Sequence, residues 1–188
     1  MIVNLEFKGK TLYAIALHLI VLALCVELYI VTGQNKHLKE SQEHLVVGRL
    51  KDGDSFSVDS LVAVTEGKGC PVEDEGRQLI FVFSTRCRFC QANMKNWGQI
   101  AWKAKERRLR VYAVSMDSLA KTRSFVAQNG FVNYDVYVPL DVGRFASKNR
   151  LSGVPLTVLR SRIGIVESLW QGVLEEKQMR EILLRISS

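Results

Sequence analysis

The sequence has three histidines and four cysteines in 188 residues. It has one CxxC pair, Cys87-Arg88-Phe89-Cys90, and no second one. A structural zinc site would need two more ligands. Outside the apolar N-terminus the candidates are Cys70, His37 and His44, and none stands at a recognised spacing, so no metal is expected. Internal repeats and low-complexity segments are also missing. The net charge is +7, but the densest cationic stretch, residues 103–110 (KAKERRLR), has neither interleaved aromatics nor a glycine-rich loop. It reads as a solvated helix face, and nucleic acid is not expected as a partner. No small-x-small cleavage pattern follows the apolar N-terminal run. The LALC of residues 22–25 resembles a lipoprotein signal, except that Leu24 stands where such signals carry a small residue.

What is present begins with that run, residues 11–33 (TLYAIALHLIVLALCVELYIVTG). Its 20 residues from Leu12 to Val31 would rise roughly 30 Å as a helix, about one hydrocarbon core. Only His18 and Glu27 interrupt it with residues that charge near neutral pH. Glu27 lies within about one turn of the end, where a long side chain reaches the interface. The run predicts an uncleaved transmembrane anchor. Lys8 and Lys10 before it, against Lys36 and Lys39 after it, barely distinguish the two sides. Lys8, Lys10, Glu6 and Glu27 cancel, so the whole excess of +7 belongs to residues 34–188. The expected organisation is a short cytoplasmic N-terminus (1–10), the anchor (11–33), a polar stalk (34–44, QNKHLKESQEH) and one domain (45–188).

Within that domain, Asp52-Gly53 is a turn pair, and residues 66–76 form a loop by composition. The continuous apolar run 79–83 (LIFVF) suits a strand buried on both faces. A helix should follow, because Cys90, Met94, Trp97, Ala101 and Ala104 fall on one stripe. Residues 110–114 read as a second strand. Ser118 can cap a helix that runs to Asn129 and stops at Gly130. Residues 134–138 predict a short strand at a sheet edge, and residues 144–150 a short helix. Residues 156–159 and 163–170 suggest a strand pair joined at Ser161-Arg162, and residues 175–186 a last helix. Alternating strands and helices followed by a hairpin predict an α/β domain whose mixed central sheet is flanked by helices.

Position gives the CxxC its meaning, since it follows the buried strand and opens the helix. A helix N-terminus offers unpaired N–H groups and partial positive charge, which favour a thiolate. Cys87, at the start, is therefore the expected nucleophile, with Arg86 and Arg88 adding cations that tune it. Cys90, one turn on, can resolve a mixed disulfide. Gly153-Val154-Pro155 directly precedes the strand at Leu156. Proline lacks a ladder N–H and sits naturally at a strand start.

A strand–CxxC–helix followed much later by a Val-Pro strand start resembles the thioredoxin superfamily. Within it, the chain is similar to membrane-anchored TlpA/ResA-type redoxins. The likeness spans roughly residues 47–186: GRLKDGDSFSVDSL, LIFVFSTRCRFC, the inserted stretch ending VNYDVYVPLD, and GVPLTVLRSRIGIVESLWQG. It implies a thioredoxin-like fold in which Pro155 is cis against the CxxC and Val154 presents its backbone to substrate. There are departures. The family's tryptophan before the first cysteine is Arg86, and its proline before the second is Phe89. The buried acid of some thioredoxins aligns with Phe81, and the glutamate of some reductases with Asn93. No internal proton acceptor is evident.

The resulting expectation is a membrane-bound thiol–disulfide oxidoreductase on the extracytoplasmic (periplasmic) side, acting on protein thiols and disulfides with a redox partner protein. No cofactor is expected, and reduction is favoured over oxidation on the resemblance alone. Two alternatives stand beside it. One is a peroxiredoxin-like peroxidase, although Ser84 holds the position where such sites place threonine. The other is a non-catalytic accessory or maturation protein. Cys70 is left over: an unpaired loop cysteine is the leading reading, beside an intermolecular bridge or a third redox cysteine.

Overall fold

The computed structural model describes residues 17–29, 31–32, 49–65, 76–107, 109–130 and 134–187. The expected stalk, the first residues of the expected anchor and Cys70 lie outside these. The chain divides into two compact units, Met1–Gly48 and Arg49–Ser188.

In the first unit the described residues form helix α1 (residues 17–29 and 31–32), with Leu17, Leu19, Ile20, Leu22, Leu24 and Leu28 all exposed. Among the described residues no helix is long and apolar enough to cross a membrane.

Among the described residues the second unit holds six strands: β1 (Leu61–Ala63), β2 (Gln78–Phe83), β3 (Arg110–Ser115), β4 (Asp135–Pro139), β5 (Leu156–Arg160) and β6 (Val166–Gln171). Four helices connect or follow them: α2 (Arg88–Glu106), α3 (Leu119–Asn129), α4 (Val142–Lys148) and α5 (Glu176–Arg185). The sheet order is β1-β4-β3-β2-β5-β6. β2, β3 and β4 run parallel, while β1, β5 and β6 join antiparallel. This is the mixed sheet expected from the alternation of elements.

Side-chain alternation along β2 divides the core. Leu79, Phe81 and Phe83 face Trp97, Ile100, Ala101 and Ala104 of α2, with Ile182 of α5 and the half-buried Phe125 of α3. Ile80 and Val82 face the other way, toward Phe56, Val58, Tyr112 and Phe145 of α4. All six β2 residues are buried, as a central strand covered on both faces must be. Trp97 stacks on Phe81 with centroids 5.0 Å apart and donates its indole N–H to the Thr157 hydroxyl at 2.9 Å. That bond ties the middle of α2 to β5.

Two local expectations need correction. The strand at residues 134–138 is interior, because β1 pairs with its outer edge through Leu61, Val62 and Ala63. Three residues are too short a segment for periodicity to reveal. The β5–β6 connection is also longer than the Ser161-Arg162 turn: Ser161 N–H donates to Ile165 O, and β6 starts only at Val166. Helix α3 is bounded as expected, by Ser118 and by Gly130 at φ 60°, a left-handed position that costs glycine little.

Candidate active site

The site lies where β2 hands over to α2. Ser84, Thr85 and Arg86 make a tight turn, and Cys87 is the N-cap of α2. The Cys87 N–H donates to Ser84 O at 3.1 Å. Cys87 Sγ in turn accepts from the Cys90 N–H at 3.3 Å, so the sulfur takes up one of the helix's otherwise unpaired first-turn donors. No acidic residue occupies the first turn. Cys87 is half-buried and Cys90 fully buried, and both are free thiols.

The distant proline segment comes to this point. The Val154–Pro155 peptide is cis, and Cys87 Sγ donates to Val154 O at 3.8 Å. Val154 is half-buried and Pro155 buried. Pro155 O accepts from the Gly172 N–H at 3.0 Å, which links this segment to the loop after β6. Arg86 and Arg88 are exposed. The Arg88 guanidinium lies 5.0 Å from the ring centre of Phe89, itself half exposed.

The two thiols sit in different environments. Burial pushes the Cys90 thiol up to about 12, helped by its hydrogen bond with Cys87 and by the like charges of Cys87 and Asp117. Desolvation is the largest of these causes because a buried thiolate loses its water. With Cys87 in a disulfide, its hydrogen bond and charge would no longer oppose ionisation of Cys90.

Asp117 is the residue the sequence did not point to. One of its oxygens, Oδ2, accepts from the Thr85 N–H at 2.6 Å, the Ser84 hydroxyl at 2.9 Å and the Thr85 hydroxyl at 3.0 Å. The Asp117 N–H donates to the Ser115 hydroxyl at 3.3 Å, which is in contact with the Thr122 hydroxyl at 2.8 Å. Burial alone would raise the Asp117 carboxyl. The donors from Thr85 and Ser84, with the Arg86 charge, outweigh it and hold the group below the usual carboxylate range. A buried acid is thus present, but at the end of β3 and not at Phe81. A signal for it did exist. β2 and β3 pair in parallel with Phe83 opposite Ser115, so two residues further on each strand bring Thr85 beside Asp117. Sequence alone does not supply that register.

Asn93, in the position where some reductases place a glutamate, is also buried. Its amide donates to Gly172 O at 2.9 Å, and its oxygen accepts from the Leu174 N–H at 2.8 Å. It fastens the loop after β6 to α2 and carries no charge.

Replacing Asp117 with asparagine leaves one of its oxygens as an acceptor but removes the charge from three donors. The expected cost is about 1–3 kcal/mol at neutral pH. A carboxyl lowered in the folded state stabilises above its unfolded value, and that stability is lost as pH falls through the folded value. The gap between the wild type and Asp117→Asn should therefore be full near pH 7 and close under acid. Urea titrations across that range check it; a gap that widens toward low pH would contradict the ionised, donor-satisfied carboxylate.

No protein-family model matches the chain, and no curated protein matches it in sequence. Solved structures do resemble it. A candidate thiol:disulfide interchange protein DsbE from Chlorobium tepidum is 20% identical with a TM-score of 0.60, over 74% of this chain and 99% of that one. The thioredoxin domain of a thiol-disulfide oxidoreductase from Bacteroides vulgatus is 13% identical with a TM-score of 0.57, over 72% and 99%. StoA from Bacillus subtilis is 12% identical with a TM-score of 0.54, over 66% and 97%. The domain has the thioredoxin-like α/β fold.

Proposed function

We propose that this protein is a thiol–disulfide oxidoreductase that exchanges disulfides with protein substrates through Cys87 and Cys90. One observation carries the reading: an accessible sulfur caps a helix N-terminus against the Val154 carbonyl, with a second thiol buried one turn behind it. Cys87 as thiolate attacks a substrate disulfide, forms the Cys87–substrate S–S bond and expels the other substrate sulfur, which takes up a proton. Cys90 then loses its proton and attacks Cys87. The Cys87–Cys90 disulfide forms, and the reduced substrate leaves. A dithiol partner protein reverses the oxidation. Val154 and Pro155 border the substrate, and Val154 offers a backbone acceptor beside the reacting sulfur. Arg86 and Arg88 supply positive charge at the rim. Insulin reduction with dithiothreitol as electron donor tests the activity: wild type should catalyse it and Cys87→Ser should not. Equal rates from both would favour the accessory reading. The reduction potential of the couple assigns direction, since reductants and oxidants of this kind span about −270 to −120 mV. The reducing end is expected.

The same reading places residues 11–33 in a membrane as an uncleaved anchor after a short cytoplasmic segment (1–10). Residues 34–44 serve as a stalk, and the domain from residue 45 onward lies on the extracytoplasmic side. The 20-residue stretch from Leu12 to Val31, apolar but for His18 and Glu27, supports it, as does the chemistry, because disulfide exchange is useful where disulfides persist. In a variant whose only cysteine is Cys87, a membrane-impermeant thiol reagent should label intact spheroplasts as fully as lysed ones. Labelling only after lysis would reverse the topology.

A further inference from the structure

Among the described residues, the charges beside Cys87 in sequence and along α2 are mainly positive. Arg86 and Arg88 flank the reactive residue in sequence, so their Cα atoms each lie about 3.8 Å from that of Cys87. Both side chains are exposed, and among the described residues neither forms an ion pair. Helix α2 runs 19 residues with no carboxylate before its last, Glu106, while it carries Lys95, Lys103 and Lys105. Asp117, the buried acid at the site, accepts from Ser84 and Thr85 through Oδ2 and feels the Arg86 charge without an ion pair to it. Glu175 and Glu176 stand by the loop that Asn96 holds through Leu174 O, and Asn96 is about 9 Å along the helix from Cys90. Apolar side chains are exposed near the site as well: Phe89, next to Arg88, is 52% exposed, Val173, next to the Gly172 that bonds Pro155 O, is 40% exposed, and Val154 is half-buried.

We propose that this face recognises polypeptide substrates whose reactive cysteine is flanked by acidic side chains. The proposal rests on the exchange reading above and adds the substrate class to it. Forming a mixed disulfide forces the residues on either side of the substrate cysteine onto the surface that bears Arg86 and Arg88. Acidic neighbours there meet two exposed guanidiniums that form no ion pair among the described residues, and the guanidinium fork suits a carboxylate. Basic neighbours meet repulsion. The contribution falls mainly on the rate of encounter, because exposed charges steer more than they hold.

Three disulfide-bonded peptides, identical except for glutamate, glutamine or lysine on both sides of the cysteine, test this. Each is mixed with the reduced full-length protein, and the rate of Cys87–Cys90 oxidation is read by acid quench and mass spectrometry. The glutamate peptide should react about tenfold or more faster than the lysine peptide at low salt. That ratio should shrink as salt shortens the range of the interaction. It should invert in the Arg86→Glu, Arg88→Glu double variant and fall near one in the Arg86→Gln, Arg88→Gln variant. Using the ratio cancels any change in the intrinsic reactivity of Cys87. Hydroxyethyl disulfide, small and uncharged, separates the two readings. If the protein reduces it but shows a peptide ratio within twofold that neither salt nor charge reversal moves, the substrate class is wrong and the exchange function stands. If Cys87 does not react with it at all, the exchange reading fails first.

Discussion

Cys90→Ser is expected to accumulate covalent complexes with its substrates, whereas Cys87→Ser accumulates almost none and loses turnover. The asymmetry follows from where the two sulfurs sit. Cys87 is accessible at the N-cap, 3.8 Å from Val154 O, while Cys90 is completely buried on the core side of α2. Burial pushes the Cys90 thiol up, so it is a thiolate far more rarely at pH 7 than a free cysteine, and replacing Cys87 leaves that desolvation in place. Activity that had to start from Cys90 would therefore fall strongly from ionisation alone, before access is considered. Without Cys90, attack by Cys87 still occurs but nothing resolves the mixed disulfide. Non-reducing gels of the two serine variants after acid quench check this directly, and neutral-pH alkylation of the reduced wild type should modify Cys87 first. Equal trapping by both variants, or faster alkylation of Cys90, would reverse the assignment of nucleophile.

Trp97→Ala is expected to cost about 3–5 kcal/mol of stability. The side chain is fully buried, stacks on Phe81 and donates to Thr157. Alanine would open a cavity between α2 and the sheet and leave the Thr157 hydroxyl without its indole donor. Trp97→Phe separates the contributions, since it keeps most of the packing and loses the hydrogen bond, for about 1–3 kcal/mol. Because Trp97 lies two turns below Cys90 on the same helix, the alanine variant should also loosen the CxxC. The urea midpoint and the rate of Cys90 alkylation should move together. A stability loss under about 1 kcal/mol for alanine would mean that α2 is held mainly from elsewhere.

Sequence by itself determined a great deal here. The unbroken apolar run of β2 and the Cys90–Trp97–Ala101–Ala104 stripe of α2 are local patterns with different periods, and their junction at Cys87 could be read because a strand and a helix each announce themselves within a few residues. The pairing of the CxxC with Val154 and Pro155 was legible only through the family likeness, since 67 residues separate Cys87 from Val154. Tertiary structure alone decided the rest. It put β1 outside β4, where three residues carry no periodic signal. It put the buried acid at Asp117, because that placement depends on the register of β2 against β3. It turned Asn93 into a neutral strut for the Gly172–Leu174 loop. It also set the contrast between the two thiols, since desolvation of Cys90 is a property of everything packed around it and not of the four letters in its motif.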